Sequence, residues 1–289
     1  MKAIQEIQKV FVIGSGAMGT GIAQTALQSG FSVTLQDVSA EQLQRAKANI
    51  EKQLSRNVEK GRMTAEERNV ALKRFTISNE LDTVAEADLV IEAASEKMEV
   101  KKSIFQNVCA ICSDEAVLAT NTSSISITAL SGSVTHPERF VGMHFFNPVP
   151  VMKLLELVQG LNTADETIAT AKAIGEALGK ICIVSADSAG FIVNRLLDPM
   201  INEAFDLIER GVGTPEDIDT GCKYGLNWPM GPCELIDMAG IDIELAVMET
   251  IYADTGDSKY RPSPLLRRMV EAGRLGRKSG RGFYDYSKD

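Results

Sequence analysis

A glycine-rich turn between a short strand and a helix constrains the fold of this chain more than any other feature. The β-branched run Lys9–Ile13 predicts a buried strand, and Gly14-Ser-Gly16-Ala-Met-Gly19 follows it directly. Residues 20–29 then have helical spacing, and residues 31–36 alternate as a second strand. A strand, a helix and a strand in this order form a βαβ unit, which predicts a parallel sheet with right-handed crossovers.

The same turn predicts a dinucleotide site, because it follows a strand and opens a helix. Gly14 permits the tight turn, Gly16 lets a pyrophosphate approach the backbone, and Gly19 lets the helix pack closely against the strand. The residues between the last two glycines, Ala17 and Met18, place free backbone N–H groups at the helix start. These groups and the helix dipole favour phosphate.

Asp37 ends the second strand and predicts which dinucleotide is bound. Its carboxylate is expected to accept hydrogen bonds from the adenosine ribose hydroxyls and to repel a 2′-phosphate. Since no arginine stands at positions 36–39, the sequence favours NAD over NADP.

The rest of the chain predicts two domains. Strand-like segments recur up to residue 184, and residues 39–60 and 64–73 predict a helical hairpin projecting from the sheet. Beyond Ser185 only helices are predicted, at residues 188–210, 214–223, 231–254 and 264–272. We therefore expect a Rossmann-like α/β domain over residues 1–186, with a doubly wound, mostly parallel sheet and a helical hairpin insertion, and a smaller all-helical domain over residues 187–289.

Composition excludes several classes of function. A net charge of -9 argues against a general nucleic-acid or membrane-surface binder. No apolar run is long enough to span a membrane, and the first six residues lack the apolar core of a secretory signal. Five cysteines predict reduced thiols in a cytoplasmic protein. The motif Cys109-Ala-Ile-Cys112 has no second pair to complete a metal site, and we interpret it as small residues late in a helix over residues 98–113.

One histidine and one glutamate stand in buried-strand patterns where charge is costly. His144 ends an apolar run, and Glu156 interrupts the run Leu154-Leu155-Glu156-Leu157-Val158. A buried carboxylate needs a partner, and the histidine is the obvious one. Imidazole can take a hydroxyl proton while hydride leaves the same carbon, with the carboxylate fixing the ring tautomer. From these two residues alone, a buried pair with only a structural role is as good an interpretation as a catalytic pair.

Two further polar residues are candidates for the same site. Ser123 follows the predicted strand 117–120, and the carboxyl ends of such strands face the ligand crevice. Asn194 interrupts the apolar opening of a predicted helix. Ser123 is alternatively a helix cap, and Asn194 is alternatively a helix–helix hydrogen bond.

At this point the chain resembles the (S)-3-hydroxyacyl-CoA dehydrogenases, with the stand-alone bacterial 3-hydroxybutyryl-CoA enzymes as the most similar group. The motifs that carry the resemblance are the glycine turn, residues 121–124, residues 144–148, Glu156, and residues 190–195, 229–237 and 278–284. They span nearly the whole chain in order. The resemblance implies interconversion of (S)-3-hydroxybutyryl-CoA and acetoacetyl-CoA with NAD.

The resemblance also implies roles for individual residues. His144 matches the general base and Glu156 its orienting carboxylate, while Ser123 and Asn194 match residues that hold the acyl substrate and its reacting oxygen. The further positions that match cofactor contacts are Glu96, Lys101, Ser123, Asn147 and Lys278.

The predicted hairpin matches the part of the family that clasps coenzyme A. Lys52, Arg56 and Lys60 form an i, i+4, i+8 basic ridge that suits phosphate groups. A solvated charged face is the alternative for each of them. The resemblance further implies a homodimer.

Two other functions remain open from the sequence. One is a related β-hydroxyacid dehydrogenase, although such enzymes commonly use a catalytic lysine and need no coenzyme A clasp. The other is a non-catalytic NAD-binding protein with a structural or sensing role. The intact reacting residues argue against the second alternative.

Overall fold

The chain divides into two compact units, of which the first ends at Asp187 and the second begins at Ser188. The structure is a computed structural model and describes residues 6–287. The outer ends of the two predicted domains, residues 1–5 and 288–289, lie outside the described residues, as does most of the segment from which a secretory signal was excluded.

The first unit is built on an eight-stranded sheet with the order β3-β2-β1-β4-β5-β6-β7-β8. Its strands are β1 (Lys9–Ile13), β2 (Ser32–Gln36), β3 (Phe75–Ser78), β4 (Leu89–Glu92), β5 (Val117–Thr120), β6 (Phe140–Phe145), β7 (Leu154–Gln159) and β8 (Ile181–Ala186). Strands β1 to β6 are parallel, β7 is antiparallel to β6, and β8 is parallel to β7. The predicted doubly wound, mostly parallel sheet is confirmed.

Six α-helices accompany this sheet within residues 6–187: α1 (Ala17–Gln28), α2 (Ala40–Glu59), α3 (Ala65–Lys73), α4 (Met98–Cys109), α5 (Ile127–Ser131) and α6 (Asp165–Ala177). Helices α2 and α3 connect β2 to β3 and form the predicted hairpin. Its inner residues, including Leu43, Ile50 and Leu54, are buried in the core of the sheet. The two helices therefore pack along their inner faces, and the predicted helical hairpin insertion is confirmed.

Over residues 188–287 the second unit contains five α-helices: α7 (Val193–Glu209), α8 (Pro215–Gly225), α9 (Pro232–Ala239), α10 (Ile241–Thr255) and α11 (Pro264–Glu271). The single helix predicted over residues 231–254 is wrong, because Gly240 adopts a φ of +115° and separates α9 from α10. Two isolated β-bridges near Arg281 are the only departure from helix and loop among the unit's described residues. None of the helices within residues 6–287 is both long and apolar enough to cross a bilayer.

Helix α4 also ends earlier than predicted. It stops at Cys109, whereas the sequence predicted a helix up to Ser113. Cys112 therefore lies in the turn after the helix, and the two cysteines do not share a helix face.

Candidate active site

A buried histidine–glutamate pair lies on the two neighbouring strands where the sheet changes direction. The antiparallel register of β6 and β7 sets His144 directly opposite Glu156, so their side chains leave the same face. His144 Nδ1 is 2.8 Å from Glu156 Oε2. The histidine is 5% exposed and the glutamate 0%, so the pair predicted from the sequence is formed and desolvated.

This contact fixes the proton arrangement on the imidazole. A carboxylate can only accept, so Nδ1 carries the hydrogen and the lone pair of the neutral ring is on Nε2. Ser123 Oγ lies 3.2 Å from that Nε2. The structure thus brings Ser123, His144 and Glu156 into one hydrogen-bonded line. The ring of Phe146 lies beside the imidazole, with 4.6 Å between centroids.

The loop that carries Ser123 is held from two sides. Glu96 accepts a hydrogen bond from the Thr122 hydroxyl and another from the Ser123 N–H at 3.1 Å. The Asn121 side-chain oxygen accepts from the Phe145 N–H at 3.0 Å, next to His144 on β6. Glu96, predicted as a cofactor contact, therefore also fixes the backbone of the serine.

The far end of the same loop is fixed by Asp187, the last residue of the first unit. Its carboxylate accepts from the Ser126 hydroxyl at 2.8 Å and from the N–H groups of Ile127 and Thr128 at 3.0 and 2.7 Å. Asp187 thereby caps the start of α5 and satisfies N–H groups that a helix end leaves free.

This loop is also supported by a buried ion pair between β4 and α4, which the sequence did not predict. Lys101 Nζ lies 2.9 Å from both carboxylate oxygens of Glu92, and both side chains are fully buried. Glu92 also accepts from the Thr120 hydroxyl at 2.6 Å. The Lys101 ammonium further donates to the Asn121 carbonyl at 3.3 Å and lies 3.4 Å from Glu96 Oε2.

These contacts place Lys101 in a buried ion pair, whereas the resemblance implied a contact with the cofactor. Its ammonium has three hydrogens, and the Glu92 oxygens and the Asn121 carbonyl occupy them. The sequence did contain a signal for this pair. Glu92 ends a buried strand, much as Glu156 interrupts one, but polar residues are common at strand ends and do not by themselves predict a buried ion pair.

The glycine turn has the backbone that phosphate binding requires. Gly14 has a φ of +98°, and a side chain there would press against the Ala93 carbonyl. A side chain at Gly19 would overlap the carbonyl oxygen of Gly14, so this glycine is needed for the close packing of α1 on β1. The space in front of Gly16 is open. Ala17 and Met18 open α1, which has neither an acidic residue in its first turn nor a side-chain cap.

Asp37 lies at the end of β2 and faces this turn. Its Oδ2 accepts from the Ser15 N–H and hydroxyl, each at 2.8 Å, and its Oδ1 accepts from the Ser39 N–H at 2.9 Å. Partial burial alone would raise the pKa of Asp37, but the hydrogen bonds from Ser39 and Ser15 outweigh it and lower the pKa. An ionised carboxylate beside an open turn and an uncapped helix start fits NAD.

The remaining predicted residues lie in different places. Lys52 and Arg56 are exposed on α2, and Lys60 is the exposed residue that ends it. Asn147 is exposed in the turn after β6. Asn194 lies half-buried in the first turn of α7, in the second unit.

Lys278 also belongs to the second unit, where its ammonium forms an ion pair with Asp242 of α10. The predicted cofactor role of Lys278 and substrate role of Asn194 therefore stay predictions.

Comparison with known proteins gives matches along nearly the whole described chain. Residues 9–188 match the family model described as 3-hydroxyacyl-CoA dehydrogenase, NAD binding domain. Residues 190–286 match the model described as 3-hydroxyacyl-CoA dehydrogenase, C-terminal domain.

Individual relatives are similar over nearly their full length. A 3-hydroxybutyryl-CoA dehydrogenase of Bradyrhizobium diazoefficiens is 51% identical, with 97% of this chain and 96% of that protein covered. A probable 3-hydroxybutyryl-CoA dehydrogenase of Bacillus subtilis is 47% identical, with coverage of 98% and 99%. The crystal structure of (S)-3-hydroxybutyryl-CoA dehydrogenase from Ralstonia eutropha superposes with a TM-score of 0.95 at 46% identity, covering 98% of this chain and 100% of that one.

Proposed function

The chain belongs to the 3-hydroxyacyl-CoA dehydrogenase family, and we propose that it interconverts (S)-3-hydroxybutyryl-CoA and acetoacetyl-CoA with NAD as the hydride carrier. The family and the NAD-binding domain account for the reaction type and the cofactor. The names of the relatives support a short-chain acyl-CoA substrate.

The single observation that carries the proposed chemistry is the line Ser123–His144–Glu156. With Nδ1 held by Glu156, His144 presents an unprotonated Nε2 to the side on which Ser123 lies. In the oxidative direction this nitrogen takes the proton of the 3-hydroxyl group. Glu156 stabilises the imidazolium that results, at a site where water does not screen the attraction.

In the reductive direction the same atoms act in reverse. The imidazolium of His144 donates its Nε2 proton to the oxygen that becomes the 3-hydroxyl. We propose that Ser123 holds that oxygen, since a preorganised donor stabilises developing negative charge. Asn194 stays a proposed substrate contact. Because Glu96 and Asn121 fix the serine loop, the Ser123 hydroxyl needs little reorganisation during the reaction.

Bound NAD would accept or return the hydride at its nicotinamide ring. We propose that the turn over residues 14–19 holds its pyrophosphate and that Asp37 holds the adenosine ribose. Glu96, Asn147 and Lys278 remain proposed contacts of the nicotinamide half. Lys101 is proposed to lie near that half without donating to it, because Glu92 and Asn121 engage its ammonium hydrogens.

The basic ridge of α2 is proposed to bind the coenzyme A moiety. Its three residues are exposed, while the opposite face of the helix, with Leu43 and Leu54, is buried in the core. The ridge is therefore held on a rigid element and faces solvent. A substrate attached to an acyl carrier with phosphate groups, such as coenzyme A, suits this surface better than a free hydroxy acid does.

We further propose that residues 1–186 form the NAD-binding domain and that residues 187–289 form a substrate and dimerisation domain of a homodimer. A cytoplasmic location is supported by five cysteines that are all free thiols.

The experiment that tests the proposal compares His144→Ala with His136→Ala, since the chain contains only these two histidines. With acetoacetyl-CoA and NADH, we expect His144→Ala to lower kcat by roughly 10²- to 10⁴-fold, because the acid–base group is lost. NADH binding, followed by its fluorescence, should be retained. His136→Ala should keep the native kcat.

The same assay separates the proposed substrate from the alternatives. Native enzyme should reduce acetoacetyl-CoA far faster than acetoacetate. Equal rates on the two substrates would favour a β-hydroxyacid dehydrogenase, and NADH binding without turnover would favour a non-catalytic role. Near-native turnover by His144→Ala would refute the base assignment.

A further inference from the structure

Two cysteines meet at the end of α4, at a place that the proposed reaction does not use. Cys109 is the last residue of the helix, and Cys112 lies in the turn that follows, where its N–H donates to the Val108 carbonyl at 2.8 Å. Residues three apart in such a turn have Cα atoms closer than about 7 Å. That separation is compatible with a disulfide, which needs roughly 4.4–6.8 Å. Both thiols are half-buried and reachable from a small surface cavity.

The surroundings make the two thiols chemically different. A hydrogen bond from Cys112 is the largest influence on Cys109, and the N–H and hydroxyl of Thr135 and the charge of His136 act in the same direction. Together they outweigh burial and lower the pKa of Cys109 to about 6. The carboxyl end of α4 disfavours an anion, so the helix dipole acts against these donors. The pKa of Cys112 is raised, first by its hydrogen bond with Cys109 and then by burial.

A metal site is the other use of such a pair, and the neighbours of the cysteines argue against it. His136 also lines the cavity, but its ring nitrogens lie 3.3 Å from Asp114 and 3.2 Å from Glu138, so both already face carboxylates. Over residues 6–287, no group of three or more histidine, cysteine, aspartate or glutamate side chains is placed to hold a metal ion.

We propose that Cys109 and Cys112 form a reversible thiol–disulfide site that reacts with low-molecular-weight disulfides, with Cys109 as the attacking thiol and Cys112 as the resolving thiol. The Cys109 thiolate attacks one sulfur of a disulfide RSSR, which forms a mixed disulfide and releases RS⁻. The Cys112 thiol then loses its proton and attacks the Cys109 sulfur, which releases a second RS⁻. The protein is oxidised by two electrons, and RSSR is reduced to two thiols.

The site is separate from the proposed active site along the sheet. The cavity beside the cysteines is lined by Ala116 and Leu118, at the amino end of β5. Ser123 follows the carboxyl end of the same strand. The disulfide can therefore be tested without measuring turnover, and its failure would leave the proposed dehydrogenase function untouched.

The test uses the full-length protein in a glutathione redox buffer at neutral pH, with an acid quench, alkylation of the remaining thiols and mass spectrometry. The tryptic peptide 103–139 contains Cys109 and Cys112 and no other cysteine. We expect this peptide to carry an internal disulfide that dithiothreitol removes. Cys182 and Cys222 are internal controls, since both are half-buried and burial raises their pKa values. They should stay reduced.

Two variants test the assigned order of attack. Cys112→Ser should accumulate a glutathione adduct on Cys109, because the resolving thiol is missing. Cys109→Ser should acquire an adduct on Cys112 at least about tenfold more slowly, because burial and the charge of Asp114 still raise the pKa of Cys112 when Cys109 is absent. Absence of the internal disulfide, or equal oxidation of Cys182, would overturn the proposal. Equal adduct formation in the two variants would overturn it as well, as would protection of both thiols by one equivalent of zinc.

Discussion

Asp37 is the residue that bears most directly on the choice between NADH and NADPH. Its carboxylate is ionised at neutral pH, because the hydrogen bonds from Ser39 and Ser15 lower its pKa despite partial burial. A 2′-phosphate at the adenosine ribose would bring a second negative charge close to it. We therefore expect native enzyme to prefer NADH to NADPH by roughly 100-fold or more in kcat/KM.

The matched test is Asp37→Ser, which keeps a hydrogen-bonding side chain and removes the charge. The ratio of kcat/KM with NADH to kcat/KM with NADPH should fall by at least about tenfold, chiefly because kcat/KM with NADPH rises. Asp82→Ser, which removes an exposed carboxylate before β4, should leave the ratio unchanged. Comparable rates of the native enzyme with the two cofactors would contradict the assignment.

Single residues also show where prediction from sequence succeeds and where it stops. His144 and Glu156 could be predicted because each is a costly polar group inside an apolar run, and only a partner makes such a group tolerable. Glu92 and Lys101 obey the same physics, but one ends a strand and the other lies on a helix with ordinary polar spacing. Their burial depends on how α4 packs across β4 and β5, which sequence spacing does not specify.

Among the secondary-structure elements, the Glu92–Lys101 pair joins β4, β5 and α4. Removing one partner leaves the other charged and buried, so Lys101→Met should lower the free energy of unfolding by about 3–5 kcal/mol. Glu92→Gln combined with Lys101→Met should recover part of this loss, since no uncompensated charge remains. Urea denaturation followed by circular dichroism measures both effects.

The control is the neighbouring lysine. Lys102 pairs with Glu99 on the exposed side of α4, and Lys102→Met should change the free energy of unfolding by less than about 1 kcal/mol. A loss in Lys101→Met no larger than in Lys102→Met would show that the buried pair does not stabilise this part of the sheet.

Helix α2 carries the prediction about coenzyme A. Reversing the charge of its ridge, with Lys52→Glu, Arg56→Glu and Lys60→Glu together, should raise KM for acetoacetyl-CoA by roughly 10- to 100-fold and leave kcat within a few-fold. The effect should weaken with salt. It should vanish with an acetoacetyl thioester of N-acetylcysteamine, which lacks the nucleotide. Lys47→Glu, on another exposed face of α2, is the control.

If the triple variant raised KM equally for the truncated thioester, the ridge would act on the fold and not on the nucleotide. If it left both KM values unchanged, the ridge would be a solvated charged face, which is the alternative that the sequence also allows.

The bounds of the elements were predicted best where local chemistry sets them. Ser39 accepts from the Gln42 N–H, and Thr64 and Glu67 form a capping box, so the predicted starts of α2 and α3 are confirmed. The break at Gly240 and the end of α4 at Cys109 depend on packing within each unit. The apolar pattern continued through both points, so the sequence predicted helices that were too long.

For the molecule as a whole, the second unit contains an unpaired acidic cluster that makes its stability depend on pH. Asp198 on α7 and Glu244 on α10 are both buried, and within residues 6–287 no hydrogen bond reaches Asp198 Oδ2 or Glu244 Oε1. Burial raises the pKa of Asp198 to about 7. Burial, and then the charge of Asp198, raises the pKa of Glu244 well above its ordinary value. Both groups therefore bind protons in the folded state that they release on unfolding.

The sign of the pH dependence follows from this difference in proton binding. A carboxyl whose folded pKa lies above its unfolded value favours folding fully below the unfolded pKa, and this contribution is lost as pH rises through the folded pKa. We expect the free energy of unfolding of the second unit to fall by about 1 kcal/mol or more between pH 6 and pH 8. Trp228, the only tryptophan in the chain, lies in this unit and reports its unfolding by fluorescence.

Glu244→Gln should flatten this profile and stabilise the unit at pH 8, because it removes one charge from the buried pair at nearly constant volume. Asp254→Asn, at an exposed position on the same helix, should leave the slope as it is in the native protein. A native profile that is level from pH 6 to pH 8 would contradict the raised pKa values. A slope that persists unchanged in Glu244→Gln would place its origin in other groups of the molecule.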